Sequence, residues 1–95
     1  MLKQANKRVD ARLRVLKEGK LLVNPPSGTL DVRIRDLSNS GARVELSAPC
    51  ELPSDTALIV VQAGTIQQCV VAWQRGAFAG LQFVEAPRKL GIRRY

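Results

Sequence analysis

Arg8 and Arg12, with Asp36, Ser38 and Gly41 further on, are the side chains in this sequence best equipped to do chemistry. The two arginines, in "KRVDARLR", are four apart and project to the same side whether their segment is extended or helical. Two neighbouring guanidiniums form a clamp for phosphate or for the acceptor edge of guanine, because each presents a planar fork of donors. Asp36, in "DLSNSG", complements such a fork, since a carboxylate accepts from the N–H groups on guanine's other edge. The set suits a guanine nucleotide better than a generic duplex. Plainer readings stand beside it: Arg8 and Arg12 as a solvated basic tail, and Asp36, Ser38, Asn39 and Gly41 as the polar chemistry of a turn.

Other chemistries have little to work with. The chain has no histidine, so it lacks the commonest general base and the commonest metal ligand. Asp36 and Ser38 have no base beside them and no evident oxyanion hole. No catalytic residue, metal site or cofactor is therefore assigned, and the chain reads as a non-enzyme. Cys50 and Cys69 belong to no Cys/His cluster and read as two buried free thiols in a reducing compartment.

The net charge of +7 is unevenly spread. Residues 1–20 carry seven basic and two acidic side chains, +5; residues 88–95 carry four basic and none acidic, +4; residues 21–87 carry four basic and six acidic, −2. A near-neutral body with two basic ends suggests arms that seize an anion rather than a basic surface.

The elements that must position these residues are strands. Ninety-five residues make one domain with a modest core. "MLKQANKRVD" offers no signal peptide, and "ALIVV" and "CVVAW" are too short to span a bilayer, so no membrane insertion and a cytoplasmic location are expected. Apolar residues recur with a period of two, as half-buried strands require. Leu13, Val15, Leu21 and Val23 share one parity across Gly19, the "NPPSG" turn follows, and Leu30–Leu37 and Ala42–Leu46 form the next two strands. "TALIVV", "IQQCVVAW" and "FAGLQFV" supply three more, with "QAG" as a hairpin turn. Trp73, inside an apolar run, reads as core. Six short strands at hairpin spacing suggest an antiparallel barrel or sandwich. "APRKLGIRRY" could open a short helix at Pro87, although Gly91 opposes one.

One strand breaks its own rhythm. Leu30, Val32 and Ile34 are even-numbered, yet the next apolar residue is Leu37. Strict alternation would bury Asp36 and Ser38 at a cost of several kcal/mol for an unpaired carboxylate. A bulge, or the strand's end, between Ile34 and Leu37 returns Leu37 to the core and turns Asp36 and Ser38 outward. Gly41 then lets the chain turn with positive φ, or lets something approach the backbone closely.

"RVDAR", followed about two dozen residues later by "DLSNSG", resembles the paired RxxxR and (D/N)xSxxG motifs of PilZ domains, bacterial receptors for the second messenger cyclic di-GMP. "RVLKEGKLLV" is similar to that family's first strand, and "VVAWQRGAFAGLQF" to its closing strands. The resemblance covers nearly the whole chain. It implies a six-stranded antiparallel β-barrel spanning residues 13–84, preceded by a flexible basic arm, residues 1–12, and followed by a basic tail or short helix, residues 85–95. It also implies that Arg8 and Arg12 hold phosphates and guanine faces, with Lys7 where many relatives have another arginine. Asp36 and Ser38 would contact guanine edges, Gly41 would match the motif glycine, and Leu37 would face the core. Gln74 departs from the pattern by separating Trp73 from Arg75, so Arg75 is left out of the site.

The resulting expectation is a cyclic di-GMP receptor whose arm closes on the ligand and which, with no fused domain, regulates an effector protein by contact. The alternatives are a PilZ-like protein-interaction module that does not bind the nucleotide, and a small nucleic-acid-binding barrel. The last is a poor match, because Trp73, Phe78, Phe83 and Tyr95 are the only aromatics available for stacking.

Overall fold

The computed structural model describes residues 13–23 and 28–90. They form strands β1 (Leu13–Val23), β2 (Gly28–Leu37), β3 (Gly41–Leu46), β4 (Asp55–Val60), β5 (Thr65–Arg75), β6 (Phe78–Phe83) and β7 (Arg88–Lys89). Every pairing is antiparallel, in the order β4-β1-β2-β3-β6-β5, and β4 also pairs with β5. The first six strands thus close into a barrel, and closure leaves no long unpaired edge.

Alternation along the strands explains the barrel's interior. Val32 and Ile34 of β2 are buried while Asp31 and Arg33 are exposed, and Ala42, Val44 and Leu46 of β3 all point inward. Leu21, Leu58, Cys69, Ala79 and Leu81 complete the packing from the other strands, and Leu52 joins it from the loop before β4. The β4–β5 and β5–β6 hairpins turn at Gly64 (φ 68°) and Gly76 (φ 60°), a backbone region that favours glycine.

Three register shifts interrupt the ladders: between Arg14 and Lys17 in β1, between Ile34 and Asp36 in β2, and between Val71 and Trp73 in β5. The β2 and β5 shifts change which residues face out beyond them.

Two expectations are corrected here. The segment after Pro87 starts no helix over the described residues. Arg88 and Lys89 instead pair with Ile66 and Thr65, and the Leu90 N–H donates to the Gly64 carbonyl at 2.9 Å. The reason is that β5 begins before β6 reaches it, since β6 pairs only from Cys69 onward. The backbone groups of Thr65 and Ile66 would otherwise lack ladder partners on that side. The second correction concerns the thiols: Cys69 is buried, but Cys50 is exposed, and both are free. Cys50 lies outside the strands, in the loop whose Leu52 alone reaches the core.

Candidate functional site

Asp36 sits just past the β2 register shift. Ile34 pairs with Val44 and Asp36 with Arg43, leaving Arg35 as the extra residue, and Leu37 then pairs with Ala42. The break in rhythm is therefore a bulge, and it sends Leu37 against the core and Asp36 to the outer face. In one respect the expectation fails. Asp36 faces outward from the barrel, but it is only 5% exposed. A carboxylate so withdrawn from water needs a charged or hydrogen-bonding partner. Arg43 supplies one, its Nε donating to Asp36 Oδ2 at 2.5 Å. The same guanidinium lies 5.3 Å from the centroid of the Phe78 ring, within cation–π range.

Ser38 performs turn chemistry. Its Oγ accepts from the N–H groups of Ser40 (3.3 Å) and Gly41 (3.2 Å), and its own N–H donates to the Gly41 carbonyl at 2.9 Å. The turn is tied to the barrel by the Phe83 N–H, which donates to the Ser40 carbonyl at 2.8 Å. Ser38 thus fixes the conformation of the loop that follows Asp36.

Gly41 has no positive φ, so close approach is the reading that stands. A Cβ there would lie 2.2 Å from the Leu81 carbonyl oxygen. What comes close is the backbone of β6.

Trp73 is a correction and an addition. Its parity matches that of Cys69, which places it in the core, but the shift after Val71 makes Ala72 the extra residue and turns Trp73 outward. It is 43% exposed. Its indole lies over Gly80, where an added Cβ would come within 2.1 Å of Trp73 Nε1. Register then reveals one lateral row across five strands: Arg14 opposite Asp36, Asp36 opposite Arg43, Arg43 opposite Gly80, and Gly80 opposite Trp73. All three register shifts directly adjoin this row. The result is a band carrying a carboxylate, a guanidinium and an exposed indole.

Gln74, the residue that intervenes before Arg75, has a structural task. Its Oε1 accepts from the Leu52 N–H at 3.1 Å and its Nε2 donates to the Cys50 carbonyl, holding the loop over the barrel end. Arg75 is exposed beside the hairpin turn.

Lys7, Arg8 and Arg12 lie outside the described residues. Leu13, the residue after Arg12, is the register partner of Leu37. Further along the outer face, a groove of about 680 Å³ is lined by Lys17, Glu18, Arg33, Glu45 and Ser47, among others. Its lining includes none of Asp36, Ser38 and Gly41, and its mixed charges do not make a phosphate site. Among the described residues there is no cluster of three or more metal-ligating side chains and no helix long and apolar enough to cross a membrane.

The family model for the PilZ domain matches residues 4–95 of the chain. The chain belongs to the PilZ family. PilZ domains are cyclic di-GMP-binding modules, and the six-stranded barrel found here is the fold the resemblance implied. Comparison with the curated proteins finds no match.

Proposed function

We propose that this PilZ domain is a cyclic di-GMP receptor that transmits ligand binding to a partner protein. Arg8 and Arg12, assisted by Lys7, clamp the phosphates and guanine faces. Asp36 accepts from a guanine N–H edge, and Ser38 and Gly41 hold the hairpin that presents it. Trp73 adds an aromatic face at the far end of the same row. One observation carries the reading: β1 enters the barrel opposite the second motif, with Leu13 in register with Leu37 and Arg14 in register with Asp36. The arginine motif ends one residue before Leu13 in the sequence, which supports a site shared by the two motifs. Binding draws the arm onto the barrel by charge-assisted hydrogen bonds, and the altered arm is what an effector senses in the bacterial cytoplasm.

A second reading has an observation of its own. Asp36 is already engaged by Arg43, as it would be in a barrel that uses its surface for protein contact alone. Titration calorimetry separates the two. Saturable heat with cyclic di-GMP, lost in Arg8→Ala and in Arg12→Ala while the melting temperature holds, is expected. Absence of heat at high micromolar ligand would leave the interaction module.

A further inference from the structure

We propose, building on the nucleotide-binding reading, that Arg43 is a resident competitor for the guanine edge. It bonds the Asp36 carboxylate, must yield it before guanine can bind, and so sets the receptor's affinity.

The geometry motivates this. The Asp36 side chain is 7% exposed, so an incoming N–H donor cannot reach the carboxylate without displacing a group that covers it. Arg43, bonded at 2.5 Å, is one such group. Chemically it is an apt rival, since a guanidinium and the N1–H/N2–H edge of guanine are both planar donor forks that fit a carboxylate.

Arg43 is also able to leave. Its side chain is 36% exposed, and its guanidinium already rests over the Phe78 ring. Released from Asp36, the charge keeps both a cation–π contact and access to water, so it is not stranded in an apolar site. The neighbouring Arg35–Glu45 pair shows the contrast. There both side chains are similarly open, 38% and 36% exposed, so neither seals the other from solvent.

The test is calorimetric titration of the full chain with cyclic di-GMP, comparing wild type, Arg43→Gln and Arg43→Lys. Glutamine leaves Asp36 an N–H partner but removes the charged fork. Working at about 0.5 M salt, where the Debye length is roughly 4 Å, suppresses the general loss of attraction for a dianion. Arg43→Gln is expected to bind about tenfold more tightly than wild type, the scale of one charge-assisted hydrogen bond relinquished. Arg43→Lys is expected to tighten by a smaller factor. Binding by wild type with equal or weaker binding by Arg43→Gln overturns the competitor role and leaves the nucleotide reading intact. Binding by Arg43→Gln alone supports both. Absence of binding by all three overturns both. Should Arg43→Gln fail to fold, Arg43→Lys carries the test, and binding no tighter than wild type overturns the proposal.

Discussion

Gly41 and Gly80 each lack a side chain because something else fills the space, but the two occupants differ in how far they can yield. At Gly41 the obstacle is the Leu81 carbonyl oxygen, 2.2 Å from where a Cβ would lie and locked in the β3–β6 ladder. Gly41→Ala therefore has to push β3 and β6 away from each other, and a loss of about 3 kcal/mol in denaturant unfolding is expected, at the upper end of overpacking costs. At Gly80 the obstacle is the Trp73 indole, a side chain that is 43% exposed and can swing outward. Gly80→Ala should cost only about 1 kcal/mol. Because Trp73 is the only tryptophan, the same variant should shift the fluorescence emission to the red, whereas Gly41→Ala should leave the folded protein's emission unchanged. The thiols differ as sharply. Burial pushes the pKa of the Cys69 thiol up to about 11, so near pH 8 its reactive thiolate is on the order of one part in a thousand, while Cys50 is exposed. A disulfide-exchange reagent at that pH should titrate one thiol quickly, and the slow second one should speed up as pH rises toward 11.

At the scale of elements, what can be read from the residues depends on what a mistake would cost. The inward sets Val32/Ile34 and Ala42/Val44/Leu46 follow from alternation, because a one-residue slip would turn every one of them to solvent. The β2 bulge is legible for the same reason: without it a carboxylate falls in the core. The β5 bulge is not. Burying Trp73 offends no rule, so nothing in "CVVAWQR" signals that Ala72 is extra and that the indole faces out. The two-residue β7 is hidden too, since its existence depends on how far β5 outruns β6 rather than on its own residues. The face that Asp36 occupies is legible and its burial is not, because alternation marks Arg43 only as an outward residue and does not reveal it as a partner. Gln74 looks like an interruption of a motif and is a clamp for the loop after β3. Gln74→Ala is expected to accelerate hydrogen exchange at the Leu52 amide, whose acceptor it removes, and to cost about 1 to 2 kcal/mol. Gln74→Glu keeps that acceptor but sets a carboxylate against the Cys50 carbonyl, so its Leu52 amide should stay protected while global stability still falls.

For the whole molecule, charge placement decides which anion the chain can hold. A polymer of phosphates needs a continuous basic track, and a barrel surface that is −2 over residues 21–87 interrupts one between ends of +5 and +4. A compact dianion needs only a local clamp, and register brings the start of β1, directly after the basic arm, beside the "DLSNSG" hairpin. The two cases differ in how binding responds to salt. An oligonucleotide held by many phosphates loses affinity by roughly a thousandfold or more between 0.05 and 0.2 M salt, because counterions are released at each contact. Cyclic di-GMP presents two phosphates, so its dissociation constant should rise by less than about tenfold over the same range. Competition by a random single-stranded oligonucleotide at the higher salt should then leave the cyclic dinucleotide bound. A steep salt dependence, with the oligonucleotide winning, would mean that the basic ends serve a polymer and that Arg8 and Arg12 do not form a nucleotide clamp with the Asp36 hairpin.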